Sequence, residues 1–287
     1  MSNLRIGIPS KGRLAEVAIE LLHVAGLRFR AQNRSLFARV RGMPIDITFL
    51  RTDDIPVLCA EGAIDLGITG GDLVTESGQD VAARLTTRLK LGFGNCRLAI
   101  CVPDGSPLRE TKQLDGLRIA TSFPTCTKEF LAAQGVSAHI VNLSGSVEVM
   151  IALGVADAIV DLVETGSTLA AHGLRVLDEI GQYEALLLQN DAQRHAETAD
   201  RVVRRLEGVV IARSYSLLEY NVPRSQLAEA ERITPGYNSP TVNALEDPDW
   251  CAIRAMVRRN DVIGIMERLE ALGAQAILET EITNCRL

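Results

Sequence analysis

The chain has 287 residues, 47% hydrophobic and only 4% aromatic, which suits two or three domains with aliphatic α/β cores and excludes a disordered or fibrous chain. A formal net charge of −6 argues against general nucleic-acid binding. No apolar run is long enough to span a membrane, the stretch through Arg13 lacks the apolar segment of a secretory signal, and six scattered cysteines form no C-x-x-C pair, so a cytoplasmic protein with reduced thiols is expected.

Strand-like and helix-like runs alternate from the start: strand 4–9, helix 14–25, strand 45–50, helix 54–60 and strand 64–69. This alternation implies a mostly parallel sheet with helices on its faces. A second series follows with strands 97–103 and 117–121, helix 127–134, strand 139–143, helix 146–153 and a strand opening at Ala158. Strand 184–189 and helix 196–213 then return the chain to the first lobe. Beyond Arg213 the pattern becomes strand 215–222, helix 225–232, strands 241–245 and 250–257, helix 261–272 and strand 275–282. That βαββαβ order is ferredoxin-like and fills a small separate domain. Ligands of open α/β sheets sit beyond the carboxyl ends of strands, so a cleft between the two lobes is the expected site.

Residues 157–169 carry the densest chemistry. The apolar Ala158, Ile159 and Val160 run into Asp161, Glu164, Thr165, Gly166, Ser167 and Thr168, and a helix begins at Leu169. Unpaired N–H groups and the helix dipole favour a phosphate at such a start. Gly166 lets the backbone approach the ligand, and the hydroxyls donate to phosphate oxygens. Asp161 and Glu164 suit ribose hydroxyls or a magnesium ion. A capped helix accounts equally for the turn alone; the added carboxylates favour a phosphoribosyl site.

Other strand ends repeat the arrangement. Pro9-Ser10-Lys11-Gly12-Arg13 sets two cations and a glycine after the first strand, matched to a pyrophosphate or triphosphate, or else to solvent. In Gly67-Ile-Thr69-Gly70-Gly71-Asp72, Asp72 either accepts from an amino group or caps a helix. Arg51 and Arg97 are candidate phosphate contacts or surface ion-pair partners, and Glu148 is placed to hold a ribose hydroxyl or simply follows a capped turn. The four histidines are scattered, which speaks against a triad or a zinc site.

Taken in order, Pro9–Arg13, Met43-Pro-Ile-Asp-Ile47, Gly67–Asp72, Arg118-Ile-Ala-Thr121, Gly145-Ser-Val-Glu148 and Asp161–Leu169 resemble the ATP phosphoribosyltransferases of histidine biosynthesis. The tail, with Asn238-Ser-Pro-Thr241, Gly273-Ala-Gln-Ala-Ile277 and Asn284-Cys-Arg286, resembles the regulatory domain of that family's long form. The resemblance implies a two-lobed catalytic part similar to type II periplasmic binding proteins. Residues 1–100 and 181–213 would form lobe I, 101–180 lobe II, and 214–287 an ACT-like regulatory domain. It further implies that adenine N1 of ATP attacks C1 of phosphoribosyl pyrophosphate, with Mg2+ held largely by substrate phosphates. Lys11, Arg13 and Asp161 would be catalytic. Glu148, Asp161, Glu164, Thr165, Gly166, Ser167 and Thr168 would bind phosphoribosyl pyrophosphate, and Lys11, Gly12, Arg13, Arg51, Thr69, Gly70, Asp72 and Arg97 would bind ATP. Histidine would inhibit by feedback through Asn221, Ser239, Thr241 and Ala276, in a homo-oligomer ranging from dimer to hexamer. Asn221 stands where the family pattern can have an acid that contacts the inhibitor's amino group, so the strength of inhibition is open. The rival readings are a catalytically silent regulatory paralogue and a two-lobed small-molecule binding protein. The intact cationic and glycine-turn positions weigh against the first, and the lack of an export signal against the second.

Overall fold

The computed structural model describes residues 3–30, 35–145, 147–164, 166–192 and 194–286, with only the backbone of Ser167 and Thr168. Its strands are β1 (Leu4–Pro9), β2 (Phe37–Arg39), β3 (Ile45–Leu50), β4 (Leu66–Gly70), β5 (Leu85–Lys90), β6 (Cys96–Pro103), β7 (Arg118–Thr121), β8 (His139–Asn142), β9 (Ala158–Val163), β10 (Leu174–Tyr183), β11 (Ala185–Asn190), β12 (Tyr215–Pro223), β13 (Thr241–Ala244), β14 (Trp250–Arg258) and β15 (Gln275–Glu281). They form three sheets, ordered β2-β3-β1-β4-β11-β5, β10-β6-β9-β7-β8 and β13-β14-β12-β15.

The first two sheets are mixed, not mostly parallel as the alternation suggests. β1 is parallel to β3 and β4, but β11 runs antiparallel to β4 and β5. In the second sheet β7 is parallel to β8 and β9, whereas β6 is antiparallel to β9 and β10. The reversed strands arrive by short connections that need no helical crossover. β2, β5 and β10 escape a pattern-based reading because they are mostly exposed or half-buried, and β10 is also broken by register shifts at Val176/Asp178 and Glu179/Gly181.

The chain passes between these sheets at residues 91–95 and again at Glu184, with β6 and β10 paired out to Cys96 and Tyr183. The crossings are bonded together: Leu91 N–H donates to Ala185 O and Ala185 N–H to Phe93 O, both at 2.9 Å. Gly71 N–H donates to Glu184 O, also at 2.9 Å. The carboxyl ends of β4 and β9 and the start of β6 are thereby drawn to one region.

Residues 1–20 and 28–201 form one compact unit, and 21–27 with 202–287 a second. In the second unit β12 to β15 and the helices Leu227–Ile233 and Val262–Ala271 realise the βαββαβ order, with every recorded strand pair antiparallel. Alternation along β12 sends Leu218, Tyr220 and Val222 into a core with Ile253, Ala255, Val262 and Leu269, the period-2 signature of a sheet covered on one face. Among the described residues no helix is long and apolar enough to cross a membrane.

The buried Tyr220 hydroxyl meets Thr234 Oγ1 at 2.6 Å, and Thr234 also donates to Ala230 O at 3.1 Å, tying the helix end to the central strand. Tyr220→Phe should therefore cost about 1 kcal/mol. The loss would be read as a lower denaturant midpoint with an unchanged slope.

Candidate active site

Two turns of similar construction face one cleft. At the end of β1, Gly12 has φ +79°, and its carbonyl accepts the N–H of Ala15 at 3.0 Å, starting the helix Arg13–Val24. Beyond β9, Gly166 also has φ +79°, and its carbonyl accepts the N–H of Ala170 at 3.1 Å in the helix Ser167–Ala171. A Cβ at either position would meet no neighbour, so the left-handed backbone itself is what calls for glycine.

The cleft has a volume of about 1060 Å³. It gathers Lys11, Gly12, Arg13, Gly70, Asp72, Glu148, Asp161, Glu164 and Gly166 from the sequence-derived candidates. Thr165 lies outside the described residues, and the side chains of Ser167 and Thr168 are likewise outside the description. Three candidates are placed elsewhere. Thr69 is fully buried, and its hydroxyl donates to Thr52 O at 3.0 Å, leaving it structural while Thr52 lines the cleft. Arg97 lines an adjoining pocket of about 630 Å³ and pairs with Glu179 at 3.6 Å. Arg51, exposed after β3, is not part of the cleft wall.

Sequence reading missed the apolar wall. Leu14, Val17, Leu73, Phe93 and Cys96 line the cleft, a surface that accepts a flat ring. The 93–96 segment carries no motif, and only its role as a crossing brings it to the site. The available signal was the periodicity of the first helix, where Leu14 and Val17 share a face.

Charge is divided across the cleft. Lys11 and Arg13 are exposed at one wall. Arg13 donates to Glu164 in the opposite turn, and this hydrogen bond, followed by the carboxylate's charge, raises the guanidinium's proton affinity. Asp161 accepts the Leu162 N–H at 2.8 Å. Burial, and secondarily the field of Glu148, pushes its carboxyl above the ordinary range despite that bond. Asp72 is only 5% exposed, and burial pushes it up as well, against N–H groups at the start of the helix Gly71–Glu76. Among the described residues no group of three or more His, Cys, Asp or Glu side chains is arranged to hold a metal.

In the second unit Asn221 is half-buried on the sheet face opposite Tyr220 and Val222. In register it faces Ala252, which in turn faces Asn243, two residues along from Thr241 on the same face. Ser239 precedes β13. β15 has one extra residue opposite β12 between the pairs Glu219–Leu278 and Asn221–Gln275. Ala276 in this bulge has φ +49°, the only positive φ of a non-glycine among the described residues, a strained choice for an L-residue.

A carboxyl raised by burial makes the folded state reluctant to ionise. At pH 3 the Asp161 proton is largely bound in both folded and unfolded chains. As pH climbs past the unfolded value, the unfolded chain releases its proton more readily and the folded chain loses stability. Asp161→Asn should leave the melting temperature nearly unchanged at pH 3 and raise it by about 2–4 °C at pH 8, as scanning calorimetry would show.

Comparison with known proteins bears on this geometry. Residues 51–208 match the family model described as ATP phosphoribosyltransferase, and residues 212–284 match the one described as HisG, C-terminal domain. The chain is 64% identical over 286 residues to an ATP phosphoribosyltransferase of Rhodopirellula baltica, covering 100% of this chain and 94% of that one. It is 43% identical over 287 residues to an ATP phosphoribosyltransferase of Mycobacterium tuberculosis, covering 99% of each. Among solved structures, the ATP phosphoribosyl transferase (HisG:HisZ) complex from Thermotoga maritima superposes with a TM-score of 0.64 at 28% identity, covering 72% of this chain and 98% of that one. The C-terminal match marks the long form. The chain belongs to the ATP phosphoribosyltransferase family, the pentosyltransferases that open histidine biosynthesis.

Proposed function

We propose that the cleft aligns ATP and phosphoribosyl pyrophosphate so that adenine N1 attacks C1 of the ribose, releasing pyrophosphate and giving N1-(5-phosphoribosyl)-ATP. The observation that carries this reading is the meeting of two glycine turns, one with Lys11 and Arg13 and one with Asp161 and Glu164, around a single cleft with an apolar wall. Adenine N1 already has a free lone pair, so attack needs no base to expose it. Rate enhancement comes instead from alignment and from stabilising charge as the bond to pyrophosphate lengthens.

On this reading the turn 165–168 holds the 5-phosphate, and Asp161 and Glu148 accept from ribose hydroxyls. Lys11 and Arg13 bind pyrophosphate or ATP phosphates, with Arg13 leaving Glu164 for them. The adenine lies against Leu73 and Phe93, with its amino group toward Asp72. Asp161 and Glu148 supply two hard oxygen donors on one wall, a set suited to Mg2+ bound mainly through substrate phosphates. When bound, that ion would neutralise charge on the leaving pyrophosphate. Both substrates are soluble phosphate esters, and the cytoplasm is the compartment this reading calls for.

The two sheets of the first unit would be the catalytic lobes and the C-terminal sheet the regulatory domain of a homo-oligomer reaching the hexamer. Histidine would bind the open sheet face that carries Asn221 and Thr241, near the Ala276 bulge and Ser239. The same face brings Glu219 onto Arg254 at 2.8 Å, which leaves Asn221 as a neutral neighbour for an amino group.

Incubation with ATP, phosphoribosyl pyrophosphate and magnesium should generate the absorbance of an N1-alkylated adenine. Arg13→Ala should cut kcat/KM by about 100-fold; a variant as active as the wild type would remove Arg13 from the site. In histidine titrations, Asn221→Asp should shift half-inhibition to about tenfold lower histidine through a charge-assisted hydrogen bond. Equal curves would show that Asn221 does not set the affinity.

A further inference from the structure

Asp72 is the one carboxylate among the described residues that the fold buries. It sits in the cleft wall, and none of the recorded ion pairs provides it with a cation. The groups whose fields are coupled to it are Cys96, Cys126 and Tyr183, whose own proton affinities are raised by burial to about 11, about 12 and about 12. All three are neutral near pH 7, so none of them offsets its charge, and the groups that favour the ionised carboxylate are the backbone N–H groups of Asp72 and Leu73 at the helix start. The fold nevertheless makes room for it: a Cβ on Gly70 would lie 2.1 Å from Asp72 Oδ1. A helix cap does not require burial, because N-cap carboxylates work at the surface. A buried, unpaired carboxylate in a cleft is instead the pattern of a group kept for chemistry.

The reaction needs such a group. Bond formation at adenine N1 puts positive charge on the ring and makes the exocyclic N6–H acidic. We propose that Asp72 is a catalytic residue of the transfer, accepting a hydrogen bond from N6 of the adenine and taking one N6 proton as the bond from N1 to C1 forms. The N1 lone pair makes the new bond, and the C1–O bond breaks with its electron pair leaving on pyrophosphate. The N6 proton passes to the carboxylate, which releases it to water once the product departs. Burial, by pushing the Asp72 carboxyl above its ordinary range, brings it closer to the proton affinity a general base requires. The assignment rests on the adenine placement proposed above.

The test uses the full-length chain. Asp72→Asn keeps an oxygen that accepts from N6 but cannot take its proton. In single-turnover rapid-quench experiments it should react about 100-fold more slowly, while its ATP dissociation constant by equilibrium dialysis stays within about threefold of the wild type. Asp72→Ala should bind ATP about tenfold more weakly, and added formate should restore its single-turnover rate by about tenfold. Wild-type chemistry in Asp72→Asn would overturn proton transfer while leaving the adenine placement standing. Wild-type ATP affinity in Asp72→Ala would overturn the placement itself. Should Asp72→Asn fail to fold, judged by near-ultraviolet circular dichroism, the alanine variant decides alone, and no response to formate overturns the proposal.

Discussion

Everything at the cleft depends on two chain crossings being hydrogen-bonded to each other. Leu91, Phe93 and Ala185 exchange backbone bonds, and Gly71 binds Glu184. The segment leaving the first sheet is thus fastened beside the segment returning to it. With the crossings paired, the carboxyl ends of β1, β4 and β9 open into the same space. The turns at Gly12 and Gly166 then face a common cleft, although more than 150 residues separate them. The same fastening sets Asp72 beside Cys96 and Tyr183, at the start of β6 and the end of β10.

The electrostatic arrangement follows from this geometry. The cations are exposed, where a polyanion reaches them without a prior desolvation cost. The carboxylates Asp161 and Asp72 are withdrawn, and their proton affinities rise as a result. Glu164 pairs with Arg13. That contact spans the two turns, so on the reading proposed above a phosphate would exchange with the Glu164 carboxylate at Arg13. Holding unpaired carboxylates in a cleft lowers stability, and such a cost is characteristic of functional sites.

The C-terminal unit obeys plainer rules. Strict alternation along β12 builds a one-sided core, and the β15 bulge with Ala276 in the left-handed region falls beside Asn221. A strained residue persists only when its surroundings impose it.

Much was legible in the sequence because it was local. β1, β3 and the helix Asp54–Ala60 follow from apolar runs between turn residues, and the βαββαβ tail follows from alternation. Glycines at 12 and 166 marked their turns in the sequence as places of close backbone approach, and the structure adds that both take the left-handed conformation glycine favours. Other features were not local and could not be read. The antiparallel insertion of β11, the polar edge strand β5 and the apolar wall at Phe93 and Cys96 depend on which strands pair, and pairing is decided by contacts between distant residues. Thr69 shows the limit well: its motif suggested a ligand contact, but only the tertiary structure brings Thr52 O within 3.0 Å of its hydroxyl. Residue chemistry by itself determined the elements built on apolar runs, their glycine turns and the phosphate-ester character expected of the ligand, since these rest on neighbouring side chains and backbone freedom. Tertiary structure decided which of those residues meet, which carboxylates lose water and which hydroxyls are spent on the fold, because burial and pairing belong to the packed chain as a whole.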